Sequence, residues 1–321
     1  MIFSLNEQTP PQPPERGMSS RNREERLCVF MALLASLAGL WQVSLHNYLL
    51  FHSLVEMYNV TVLWGVFFVT WSARRLMRSS YLTVLGVASL FIGFLYLLHM
   101  LAYKGMGVFS HADANLPTQF WIAARLLQAS AFVAASASLL RPELDIDAPL
   151  PAAVWGLLTL LCTWLIFNDL FPACFIEGSG LTLFKKIAEW LAIALLLLSC
   201  LLVWQQRKQV SADILRLLFA ALLLTAAAGL MFTCYASVYG PANMLGHLLN
   251  LCSSYCLFRA FIRIGVTAPQ SLLFYELNRR QEELEQSKNN LEQQVRLRTA
   301  NLHWKNQELE ESNQRLNEFA Y

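Results

Sequence analysis

Residues 81–101 read YLTVLGVASLFIGFLYLLHML. No Asp, Glu, Lys or Arg interrupts the stretch from Tyr81 to Leu101. Roughly 20 residues of helix rise about 30 Å, the thickness of bilayer hydrocarbon. The run therefore reads as a membrane-spanning helix. Working outward from it, similar runs occupy 27–44, 50–70, 120–140, 152–170, 187–204, 214–234 and 244–265. The expected fold is all-α: a polytopic bundle of about eight transmembrane helices over 27–266. A polar, disordered cytoplasmic segment precedes it (1–26), and a cytoplasmic coiled-coil helix follows (267–321).

Composition agrees. The chain is 56% hydrophobic and only 14% charged, with a mean hydropathy of +0.41, against about half and a quarter for soluble domains. The net charge of +2 implies no acidic partner and no nucleic acid. The cations are distributed unevenly. Arg21, Arg23 and Arg26 precede the first run, and Arg74, Arg75 and Arg78 follow the second. Arg141 follows the fourth, Arg207, Lys208 and Arg216 separate the sixth and seventh, and Arg259 and Arg263 close the eighth. All share one side of an eight-span bundle, leaving Lys104, Lys185 and Lys186 opposite. The positive-inside rule places both termini in the cytoplasm. The seven cysteines are scattered through the runs and form no disulfide framework; Cys174 alone falls in an outer loop.

Ionisable side chains inside a bilayer are costly and therefore informative. Helix direction puts His52 and Glu56, His99 and Tyr103, Gln119, Arg125 and Gln128, and His247 and Asn250 near the outer ends of four different spans. His46 and Lys104 lie just outside. His52 and Glu56 share a helix face, as do His99 and Tyr103. The expected pocket comprises His52, Glu56, His99, Tyr103, Lys104, Arg125, His247 and Asn250. It suits a metal held by His52, Glu56, His99 and His247, a haem between two histidines, or a quinone-like molecule. The alternative is a structural network in which Glu56 pairs with Arg125 or Lys104. The residues do not choose among these. The fourth run is rich in Ala and Ser, as in helices packed closely within a bundle. Most tryptophans, among them Trp121 and Trp190, sit near run ends, as interfacial anchors do. The loop Tyr103–Val108 contains Gly105 and Gly107 and suits either a lid or an ordinary turn.

Beyond the bundle a heptad runs from Phe274 to Phe319. Its seam includes Leu277, Leu284, Leu291, Val295, Leu302, Leu309 and Leu316, enough repeats to expect a homodimeric coiled coil. Lys288, Arg298 and Lys305 weaken the seam, which suits a helix that changes its packing. Thr267-Ala-Pro-Gln270 has capping-box spacing with proline in the first turn, so a break and a hinge are expected there.

The segments Val295–Leu302, Asn306–Leu309 and Leu316-Asn-Glu-Phe-Ala-Tyr321 resemble the connector helix of bacterial sensor histidine kinases. Phe51-His52 with Glu56, the run His99–Met106, Thr118–Arg125 and Gly246-His247 resemble the third class of bacterial membrane-associated sensor domains. That family carries Glu where this chain has Gln128, which removes one possible carboxylate ligand. The resemblance implies a sensory input and transmission module of a two-component kinase in the bacterial inner membrane. Its output would be a phosphorelay to a response regulator through a kinase core beyond Tyr321. The same input serves diguanylate cyclases, and histidines in several spans also suit a haem-binding electron carrier or a transporter. The chain itself has no nucleophile–base pair and no phosphate loop, and is expected to be catalytically silent.

Overall fold

The computed structural model describes residues 18–77, 79–109, 113–141, 143–208, 210–234 and 239–319. The proline-rich N-terminal segment, Arg78 and the final Ala320-Tyr321 lie outside these residues. So do the side chains of Arg21, Arg23, Arg26, Arg75, Phe274, Leu316 and Phe319. The chain divides into two units, 1–267 and 268–321.

The first unit is a helical bundle: α1 (Met18–His46), α2 (Tyr48–Met77), α3 (Ser80–Leu101), α4 (Asn115–Ser138), α5 (Pro149–Phe167), α6 (Leu183–Gln205), α7 (Ala212–Thr233) and α8 (Pro241–Ile262). A short antiparallel hairpin, β1 (Phe175–Ile176) and β2 (Gly180–Leu181), lies between α5 and α6. A π-helical turn, Arg263–Thr267, closes the unit. The helix starts follow local chemistry. Ser79 and Thr182 cap α3 and α6 by accepting from the amides of Leu82 and Lys185, and proline occupies the first turn of α5 and α8.

Among the described residues, α1 through α7 are long and apolar enough to cross a membrane. Leu157, Leu160, Trp190 and Leu201 project outward from them, exposed as lipid-facing side chains must be. This is an all-α, multi-pass membrane protein. Helix α1 begins at Met18, inside the segment expected to be polar and disordered. Helix α8 is not among these seven, yet packing shows that it crosses the same depth. Phe232 would meet a Cβ at Gly246, Thr225 bonds Ser253 at 2.5 Å, and Asp213 pairs with Arg263 at 3.0 Å. Helices α7 and α8 are therefore antiparallel over their full length. The hydropathy of α8 is lowered by a buried polar stripe, Asn243, His247, Asn250 and Ser253, which faces protein rather than lipid.

Cross-helix pairs also fix the ends of the bundle. Tyr239 donates to the Lys104 carbonyl at 3.0 Å, Lys104 pairs with Glu177 at 2.6 Å, and the rings of Tyr48 and Tyr239 lie 5.4 Å apart. The α1–α2, α3–α4, α5–α6 and α7–α8 connections thus share one end. At the other end lie the α2–α3, α4–α5 and α6–α7 connections and the π turn, together with Arg74, Arg141, Arg207, Arg216 and Arg263. Helix α4 is the most enclosed of the seven, as its small residues led us to expect.

The second unit is a single helix, α9 (Ala268–Phe319). Leu277, Leu284, Leu291, Val295, Leu302 and Leu309 are all exposed along it. The break and capped start expected at Thr267–Gln270 are not seen: the backbone stays helical from α8 through the π turn Arg263–Thr267 into α9.

Candidate polar cluster within the bundle

Helices α2, α3 and α8 place His52, Glu56, His99 and His247 together near the end that carries the α3–α4 loop. All four are buried. His99 Nδ1 lies 2.8 Å from the Pro117 carbonyl, which can only accept, so Nδ1 carries the proton and Nε2 presents a lone pair. His52 Nε2 is 3.2 Å from that lone pair. His52 Nδ1 is buried with no hydrogen-bond partner, an arrangement that costs about 1–3 kcal/mol. Tyr103 stacks on the His52 ring at 3.6 Å. His247 Nδ1 donates to Glu56 Oε1 at 2.7 Å. The other carboxylate oxygen accepts from Asn59 at 3.4 Å, and Asn59 in turn accepts from Ser254 at 2.8 Å.

Beside the cluster is a cavity of about 20 Å³ lined by His99, Tyr103, Thr118, Trp121, Asn243 and His247 among others. Such a space holds one water or one small ion. Pockets for organic ligands are about 300–1,000 Å³, so a haem or quinone-like molecule does not fit. A haem also needs a flat slot between two axial imidazoles. Here the histidine nitrogens face each other directly, and Tyr103 and Trp121 fill the flanks. One ligand atom each from His52, Glu56 and His99 lies within 4.8 Å of the others, the set most suited to holding a metal ion. His247 stands behind this set and holds Glu56.

The remaining expected residues lie elsewhere. Lys104 has 47% of its side chain exposed and pairs with Glu177 in the hairpin, so it is not a pocket residue. The Glu177 carboxylate raises the Lys104 ammonium above its ordinary value through hydrogen bonding and charge. Asn250 is buried one turn deeper and faces Tyr96. Arg125 pairs with Glu189 at 3.7 Å rather than with Glu56, and donates to the Thr225 carbonyl at 3.0 Å. Gln119 binds the Phe171 and Pro172 carbonyls, at 3.0 Å and 3.2 Å. Gln128 accepts from Tyr96 at 3.4 Å.

Sequence reasoning missed Glu189 and placed Lys185 in a loop. Both are fully buried and 3.3 Å apart, and Lys185 also donates to the Phe232 carbonyl. Trp121 is no interfacial anchor: its indole N–H donates to Glu189 at 2.8 Å. The same ring stands 5.2 Å from His99 and 5.7 Å from His247. It is thus a shared wall between the histidine cluster and the Arg125–Glu189–Lys185 network. Asn243, which donates to Tyr48 at 3.0 Å, was also missed, although it precedes His247 by one helical turn.

Fold and site together define a multi-pass membrane protein that buries a histidine–carboxylate cluster among its spans. Residues 43–269 match the MASE3 family, described as a membrane-associated sensor domain, and the chain belongs to that family. The match ends at the start of α9. No curated protein matches the chain.

Proposed function

We propose that the chain is the sensory input and signal-transmission module of a two-component histidine kinase in a bacterial inner membrane. The input enters at the His52–Glu56–His99–His247 cluster on the periplasmic side, as the distribution of arginines suggests. The output passes through a homodimeric α9 to a kinase core and its response regulator. One observation carries this reading. Helix α2 and helix α8 are joined at the cluster by Glu56 and His247, 2.7 Å apart. They stay joined by Asn59 with Ser254, by Phe258 at Gly65, and by Val69 at Gly265 in the π turn. A change at the cluster therefore bears on the turn from which α9 follows in the chain. Family membership supports the sensory role, and the exposed heptad leucines support the dimer.

The test is a fusion of residues 1–321 to a histidine-kinase core in membranes. Glu56→Gln and His99→Gln are expected to shift autophosphorylation severalfold with insertion unchanged. Wild-type output from both would refute the reading.

A further inference from the structure

We infer that His52, His99 and Glu56 form a binding site for one divalent first-row transition-metal ion, with His247 as the positioning residue behind Glu56. This rests on the reading that the cluster is the input site, and it names the species sensed.

Three observations carry it. The first is the nitrogen separation. Two imidazole nitrogens, each about 2.0–2.1 Å from one tetrahedral ion, lie roughly 3.3 Å apart. His52 Nε2 and His99 Nε2 are 3.2 Å apart. The second is that both rings are prepared as ligands. The Pro117 carbonyl fixes the proton of His99 on Nδ1, directing the Nε2 lone pair inward. On binding, the proton on His52 Nε2 moves to its partnerless Nδ1, leaving a second lone pair. Both histidines are then neutral ligands in the required tautomer. The third is the carboxylate. A Glu56 carboxylate oxygen lies within 4.8 Å of a ring nitrogen of each histidine, and a tetrahedral site draws it in by roughly 1.5 Å. The His247–Glu56 hydrogen bond of 2.7 Å orients that carboxylate, as outer partners of metal ligands do. The nearby cavity of about 20 Å³, lined by His99 and His247 but not by His52 or Glu56, has room for one water beside the site. The donor set of two imidazoles and a carboxylate suits zinc, copper or iron rather than magnesium or calcium.

The test uses the whole chain in lipid nanodiscs, stripped with a chelator and titrated with Zn²⁺ alone against a chromophoric competitor. One equivalent per chain is expected. His52→Ala and His99→Ala are each expected to weaken binding more than about 100-fold, and His247→Gln about 10- to 100-fold. Exposed His46→Ala and His303→Ala are expected to leave it unchanged. X-ray absorption is expected to show two imidazoles per zinc. Size exclusion and tryptophan emission identify folded variants, and Glu56→Gln and His52→Asn replace any alanine variant that misfolds. Zn²⁺ retention no better in folded wild type than in a His52→Ala/His99→Ala double variant overturns the inference. If Zn²⁺ fails to bind while Glu56→Gln still alters the kinase fusion, the metal is wrong and the input site stands. If Zn²⁺ binds as expected while Glu56→Gln leaves the fusion unchanged, the metal site stands and the sensory reading of it fails.

Discussion

Glu189 is the carboxylate on which the interior of α4, α6 and α7 depends. It stands against Arg125 and Lys185, and all three are buried. Removing one partner of a buried ion network leaves uncompensated charge, at about 3–5 kcal/mol. Glu189→Ala is expected to lower the thermal midpoint sharply, whereas Lys104→Ala, which breaks only an exposed pair, is expected to leave it unmoved. Equal midpoints would remove the network from the account. Cysteine reactivity offers a second check. Burial pushes the Cys174 thiol up to about 12, against the lowering effect of Lys185. At neutral pH it stays protonated, so its thiolate forms only as pH rises toward that value. Maleimide is expected to label exposed Cys234 at least about tenfold faster than Cys174 at pH 7.5; parity would show the hairpin to be open. The membrane makes some of these residues legible in sequence. His52, Glu56, His99, Tyr103 and His247 stand out because burial of such groups is expensive, and helix direction puts them at one depth. Glu189 lies in the outer turn of the run 187–204, directly after Lys185 and Lys186, and the same depth argument would have singled it out. Which acid pairs with which base depends on helix neighbours, and one sequence does not supply these.

At the scale of elements, apolar run length located α1 through α8, although the run of α8 is diluted by polar residues. Those residues are the ones that face α2 and α7, so a scale that treats every side chain as lipid-facing undervalues the helix. In place of the expected break the chain has a π turn within continuous helix, which the sequence did not reveal; Gly265 in that turn lies against Val69 of α2. A Cβ on Gly265 would stand 2.6 Å from the Val69 methyl Cγ1. Gly265→Ala is expected to cost about 1–3 kcal/mol by overpacking and to uncouple the fusion's output from changes at Glu56, read by autophosphorylation. Unchanged stability and coupling would show that the close approach is unimportant. For α9, burial of an apolar heptad seam requires a second helix. Residues 268–321 are expected to sediment as a dimer with a dissociation constant in the micromolar range. A monomer at high micromolar concentration would remove the coiled coil from the account.

At the scale of the whole molecule, the polar cluster and the arginine-rich rim occupy opposite ends of one bundle. Reporter fusions after Gln205 and within the β1–β2 hairpin are expected to report cytoplasm and periplasm respectively; the reverse result would place the cluster on the cytoplasmic side. The central claim is that the two ends communicate. His247 and Arg263 lie on α8 and its π turn, about 24 Å apart along the helix axis. Hydrogen exchange of the chain in nanodiscs, with and without Zn²⁺, tests this most directly. Slower exchange at the cluster together with altered exchange at residues 263–267, both lost in the His52→Ala/His99→Ala variant, is the expected result. Protection confined to the cluster, with the π turn unaffected, would contradict it.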